Sequence, residues 1–257
     1  MIHYPSSENA APLIVVGPQR CGTRFVTNVL NSMPGVTLQG EIENSLMDQV
    51  VSLARKTDKI YLNDERRNVR NSWEESKHDF IYGAWTHLAK GKKRKAGSGC
   101  LYYGYKSPFH EKYFDFYNAY FHPLRPKYVC CVRSFQGHYF SVKARWPNKH
   151  IAWVASRYAR SLKRIRYMKE SRPDDVLLFF LDEYKEQGFD YLRHRILEPL
   201  GLEDAAAAEK RAAKGPANAT AQLGLEKRER LSLVEAVYLK LDSRPFSRYA
   251  ALRRDFG

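Results

Sequence analysis

Residues Leu13–Asn31 read LIVVGPQRCGTRFVTNVLN, and the fold of the chain turns on this stretch. Leu13–Val16 is a short apolar run, partly β-branched, which is the composition of a buried strand. Gly17 and Pro18 break it. From Thr23 to Leu30 the apolar residues Phe25, Val26, Val29 and Leu30 fall on one helical face. The connection Gln19-Arg20-Cys21-Gly22-Thr23-Arg24 therefore joins the end of a strand to the start of a helix. Backbone N–H groups in the first turn of a helix lack intrahelical partners and sit at the positive end of its dipole, so such a loop is an anion site suited to phosphate.

The spacing of Gly17 and Gly22 fits the G-x-x-x-x-G half of a nucleotide-triphosphate loop, but the next two residues are Thr23 and Arg24. A loop that holds nucleotide and Mg²⁺ needs Lys followed by Ser or Thr there. The sequence thus predicts a phosphate cradle without a metal ligand. The plain alternative is a tight strand-to-helix turn with an incidental glycine.

The wider composition is that of a folded protein: 257 residues, 44% hydrophobic and 13% aromatic, with room for a sizeable core in one domain. No stretch approaches the ~20 apolar residues of a membrane span. The N-terminal MIHYPSSENAAP has neither the basic nor the apolar region of a secretion signal, so a cytoplasmic protein is expected. Cys21, Cys100, Cys130 and Cys131 match no zinc spacing and read as reduced structural thiols, with no metal site expected. The net charge of +15 points to an anionic partner without choosing among cofactor, acidic glycan, nucleic acid and membrane surface.

Further strands are predicted at Val36–Gln39, Leu101–Lys106, Pro126–Arg133 and Val176–Leu181. Helices are expected over Asn44–Lys56, near Trp73–Leu88, over Glu111–Phe121, after a turn at Gln136-Gly137, over His150–Lys169 and Gln187–Leu200, and as a final pair from about Glu226. Residues 57–99 are polar and weakly patterned apart from the helix near Trp73, and read as an insertion whose mobile part is the basic run Lys90–Lys95. Strands alternating with helices predict a three-layer, doubly wound α/β domain with a mainly parallel sheet. Ligands of such sheets bind at the carboxyl ends of the strands. That rule gathers Arg20–Arg24, Gly40-Glu41 and Arg133 into one crevice, with Lys106 at the end of a further strand.

With these residues in view, the chain resembles the sulfotransferase family that uses 3′-phosphoadenosine-5′-phosphosulfate (PAPS). GPQRCGTRFVTNVLNSMPGV (17–36) is similar to the family's 5′-phosphosulfate loop. KYVCCVRSFQGHYFSVKARWP (127–147) is similar to its 3′-phosphate element, a strand ending in Arg with Ser eight residues on. LDEYKEQGFDYLRHRILEPLGL (181–202) adds weaker support. The resemblance implies that Cys21, Gly22, Thr23 and Arg24 hold the 5′-phosphate and that Arg133 and Ser141 hold the 3′-phosphate. It places Arg20, where many members have Lys, at the bridging oxygen and leaving phosphate, as a permanent cation that cannot donate a proton. It further implies Glu41 as the base that takes the acceptor's proton, after the Gly-Glu of bacterial and glycan-type members. Lys106-Ser107-Pro108 resembles a Lys-Ser/Thr-Pro element whose Lys lies near the acceptor and the sulfuryl group. The family works without bound metal and releases adenosine 3′,5′-bisphosphate (PAP). The resemblance implies a small-molecule or glycan acceptor, and the Gly-Glu and Lys-Ser-Pro elements lean towards a carbohydrate or glycolipid.

Other readings compete. Glu41 could simply cap or pair with a surface cation, and His110 and His138 are the alternative bases. A P-loop kinase or NTPase shares the fold class but requires the Lys-Ser/Thr pair that Thr23-Arg24 replaces. A non-catalytic polyanion or nucleic-acid binder would account for the charge and leave the Arg133/Ser141 spacing without purpose; no nucleic-acid partner is expected.

Overall fold

The computed structural model describes residues 10–88, 99–203, 205–215 and 230–257. Its centre is a five-stranded, wholly parallel sheet in the order β2-β3-β1-β4-β5. The strands are β1 (Ala11–Val16), β2 (Val36–Gln39), β3 (Tyr102–Lys106), β4 (Lys127–Val132) and β5 (Val176–Phe180). Nearly every strand residue is buried, as in a sheet covered on both faces. The sequence expectation of a three-layer α/β fold holds.

The chain leaves β1 through α1 (Thr23–Leu30), pairs outward to β2, and returns through α2 (Asn44–Leu62) and α3 (Arg67–Thr86) to β3. It then passes α4 (Phe114–Phe121) and crosses to the other side of β1 as β4. α5 (Phe135–Arg145) and α6 (Ile151–Ser171) lead to β5. The strand order therefore reverses around β1, which places the loop after β1 at the switch point where ligands of open α/β sheets bind. The pairings of Val15 with Lys106 and Val16 with Cys130 set the ends of β3 and β4 on either side of that loop. Beyond β5 come α7 (Leu181–Gln187), α8 (Phe189–Leu192), α9 (Ala206–Ala213), α10 (Leu233–Leu241) and α11 (Arg244–Phe256).

Two local expectations are revised. The weakly patterned region after residue 56 is helical as far as Thr86, because Trp73, Ile81, Tyr82 and Trp85 give α3 a buried stripe. Trp85 packs edge-on against Tyr105 of β3 and Phe121 of α4 at ring separations of 4.5 and 5.0 Å. The Lys90–Lys95 run lies outside the described residues. Gly137 is not in a turn but in the first turn of α5. The four cysteines are unbridged and buried, and burial pushes the thiols of Cys130 and Cys131 well above their ordinary range. Among the described residues no helix is long and apolar enough to cross a membrane.

Candidate active site

The loop after β1 is fixed from below and from both sides. Gly17, at φ +129°, has its α-carbon so close to β4 that a β-carbon would meet the Cys131 carbonyl oxygen at 2.2 Å. Gly22, at φ 96°, turns the chain into α1. That helix has no side-chain cap and no acidic residue in its first turn, so its leading N–H groups are not supplied with an anion by the helix itself. Thr23 is buried in this turn and Arg24 is exposed.

Cys21 is fully buried, with Sγ 3.6 Å from Nδ1 of His138. Burial raises its thiol far above the ordinary range, so it contributes backbone and packing rather than a thiolate. His138 is buried too, stacked on Tyr158 at a ring separation of 4.9 Å, and the Gln19 backbone hydrogen-bonds to it. Burial lowers its pKa to about 3. It is a neutral prop for the loop and has no access to an acceptor. His110, with Nδ1 3.3 Å from the Tyr117 hydroxyl, is lowered to about 3 by burial as well. Both histidines are buried, whereas Glu41 is exposed.

The segment 127–147 forms a strand followed by a helix. Arg133 follows β4, and Ser141 lies two turns along α5. Ser141 Oγ accepts a 3.0 Å hydrogen bond from Arg20 Nε. This contact ties the phosphate loop to α5. Arg20 holds a left-handed backbone, φ 65°, that is uncommon for a residue with a β-carbon. Burial, then the fields of Arg133 and Arg145, push its guanidinium below the ordinary arginine range. Three arginines thus converge. Arg133 Nε is buried with no hydrogen-bond partner among the described residues. Its guanidinium crosses the α-carbon of Gly137, where a β-carbon would come within 2.6 Å of Nε. Ser134, which starts α5, donates its N–H to Asp182 at 2.6 Å, and Asp182 also accepts from Tyr249 at 3.0 Å. These contacts clamp the base of the element.

On the other side of β1, Lys106 and Glu41 meet in an ion pair. Lys106 is nearly buried, whereas about half of the Glu41 side chain is exposed to the crevice. The segment carrying Glu41 is held by Ser107, whose Oγ accepts from Ile42 N at 2.8 Å. Ser107 N and Phe109 N in turn donate to the carbonyls of Val15 and Gly17, each at 3.0 Å. Lys106–Phe109 therefore binds both the phosphate loop and the Glu41 segment. The geometry brings together two groups, Arg20/Arg133/Ser141 and Glu41/Lys106, with the helix start between them. Arg145 and Asp182 are support residues that the sequence reading did not single out, and Gly137 and Ser107, named there in a turn and in the Lys-Ser-Pro element, are support residues as well.

The backbone has a counterpart among solved structures. The chain is similar to the sulfotransferase domain of the Synechococcus PCC 7002 olefin synthase at 16% identity and a TM-score of 0.52, covering 91% of this chain and 94% of that one. The chain has the sulfotransferase fold. Looser likenesses are to sulfotransferase STF9 of Mycobacterium avium, at 14% identity and TM-score 0.49 over 91% of this chain and 77% of that one, and to mouse sulfotransferase SULT7A1 complexed with PAP, at 11% identity and TM-score 0.47 over 85% and 68%. No family model matches the sequence, and no curated protein does.

Proposed function

We propose that this chain is a PAPS-dependent sulfotransferase that sulfates an acceptor hydroxyl. The sulfotransferase fold supports the class, and the observation that carries the donor is the buried Nε of Arg133, without a hydrogen-bond partner among the described residues, close to the cation of Arg20, which bonds to Ser141 and also feels Arg145. A buried donor without a partner costs about 1–3 kcal/mol, which a phosphate at that place would offset. The start of α1 supplies a second anion site, and PAPS carries two separate anionic groups of this kind.

When bound, the nucleotide supplies the sulfuryl group. The backbone N–H groups of Cys21, Gly22, Thr23 and Arg24 hold its 5′ end, and Arg133 and Ser141 its 3′-phosphate. Arg20 leans on Ser141, so it serves the 3′ side. Stabilising charge on the sulfuryl oxygens then falls chiefly to Lys106. Glu41 takes the proton as the acceptor oxygen forms its bond to sulfur, and the bond from sulfur to the bridging oxygen breaks, leaving PAP. Positioning and charge stabilisation carry most of the rate in such a transfer.

PAP should raise the melting temperature because it binds the folded state alone, and adenosine 5′-monophosphate should raise it far less because it leaves Arg133 and Ser141 without a ligand. Sulfur-labelled PAPS should label a hydroxyl acceptor in the presence of EDTA. Equal shifts from the two nucleotides would remove the 3′ assignment, and turnover lost in EDTA and restored by Mg²⁺ would favour a kinase-like reaction.

A further inference from the structure

A cleft of about 480 Å³ opens beside Glu41, bounded by Glu41, Glu43, Pro108, Phe109 and, from α6, Arg157. That is the size of a site for a metabolite-sized molecule. Its walls are not alike. One carries the carboxylates of Glu41 and Glu43, and the cation comes from Arg157. The Arg157 guanidinium lies 4.1 Å from the Phe109 ring centre and 4.7 Å from that of Trp153. Two aromatic rings hold it by cation–π attraction and fix its orientation. A guanidinium held through ring contacts still has its N–H donors, which lie in its own plane, for a carboxylate or phosphate.

Among the described residues Arg157 makes no ion pair and no side-chain hydrogen bond; besides the rings, only the longer-range fields of Glu111 and Arg160 act on it. Phe109 is part of the arrangement for a structural reason. It takes φ 65° directly after Pro108, and its N–H is tied to the Gly17 carbonyl, so the ring is anchored by the phosphate loop itself. A half-buried cation with no ion-pair partner among the described residues, presented in the cleft that holds the candidate base, is a recognition group suited to an anion.

We infer that Arg157 reads an oxyanion on the acceptor: the substrate of this site is a small hydroxylated molecule that also bears a carboxylate or a phosphate. The inference rests on the sulfotransferase reading, since it takes Glu41 as the end where the hydroxyl reacts. The cleft then orients its guest. The anionic end is drawn to Arg157 and repelled by Glu43, which leaves the hydroxyl for Glu41.

The test uses the full chain saturated with PAP and three probes titrated calorimetrically: 4-(hydroxymethyl)benzoate, its methyl ester, and 4-(hydroxymethyl)phenyl phosphate. Wild type should bind at least one anionic probe tenfold or more tightly than the ester, and the better of the two names the oxyanion. Arg157→Gln should abolish that advantage and leave the ester unchanged. Arg157→Lys, which keeps charge but not the planar donor set, should retain part of it. An unchanged PAP-induced melting shift in both variants establishes that they are folded with an intact donor site. Equal binding of ester and anions, no binding of any probe, or an advantage that survives Arg157→Gln overturns the inference while a PAP shift in wild type leaves the proposed function standing. Absence of a PAP shift in wild type overturns the function itself.

Discussion

At the end of β4, Arg133 has a buried Nε with no hydrogen-bond partner among the described residues, and its positive field and that of Arg145 fall on Arg20. At the ends of β2 and β3, Glu41 and Lys106 hold each other. Both regions belong to one crevice, yet one gathers like charges and the other neutralises its own. Like charges gathered at a distance of a few ångströms are tolerable when a ligand of opposite sign completes them, and that is how an anion site is built. A carboxylate–ammonium pair at a half-exposed mouth contributes little to stability. On the proposed function, its use lies in holding a proton acceptor and a cation side by side, so that the donor half serves binding and the acceptor half chemistry.

The division breaks most visibly at Glu41. Glu41→Gln keeps shape and hydrogen bonding but cannot accept a proton, so kcat with PAPS and a working acceptor should fall by ~10²–10⁴-fold, with the PAP-induced melting shift unchanged. A near wild-type kcat would assign Glu41 to loop order alone. Arg133→Ala should do the reverse. A charge-assisted contact contributes ~1.5–3 kcal/mol, so PAP should bind roughly 10- to 150-fold more weakly, with kcat at saturating PAPS little altered. Gly137→Ala is the finer companion. Its β-carbon displaces the Arg133 guanidinium, so PAP affinity should fall, while helix propensity favours Ala by up to ~1 kcal/mol and the free protein should melt no lower. A Gly137→Ala protein with undiminished PAP affinity would show that the position of Arg133 is not what binds.

The smallest effect concerns the two histidines behind the halves, His138 under the phosphate loop and His110 near the Glu41 segment. Unfolded, each binds a proton from about pH 6.5 downward; folded, each stays neutral to about 3 because it is buried. The unfolded state therefore holds more protons across that window. Stability from this source is complete above pH 6.5 and declines as pH falls, by about 1.4 kcal/mol per unit for each histidine. Urea melts between pH 6.5 and 5 should show a slope shallower by about that amount in His138→Gln. An identical slope would mean that His138 is reached by solvent and would return it to the list of bases.

Much of this was legible because it is local. The strand–glycine–helix order of 13–31 and the Arg133 to Ser141 interval are written in consecutive residues, and the parallel sheet follows from alternating elements. Where the sequence misled, a tertiary fact decided. Gln136-Gly137 has the look of a turn, but the glycine is there to let a guanidinium pass, and it sits inside a helix. The polar stretch after residue 56 folds because a few aromatics in α3 find Tyr105 and Phe121. Arg20 bonds to Ser141, 121 residues away in sequence, a contact that neither segment announces by itself. Arg157 lies in no motif, and Arg145 and Asp182 lie in quoted segments without a role assigned to them. They are found only by what the fold brings next to them.

The left-handed backbone at Arg20 sets stability against affinity at a single position. A residue with a β-carbon costs roughly 1 kcal/mol in that conformation, whichever side chain it bears, so lysine would meet the same cost as arginine. Glycine would not. On the proposed function, Arg20→Gly is therefore a substitution that relaxes the backbone at this position and weakens the grip on the nucleotide together. At this position the folded chain is held above its own local minimum, and the contact from Arg20 to Ser141 is what that strain maintains.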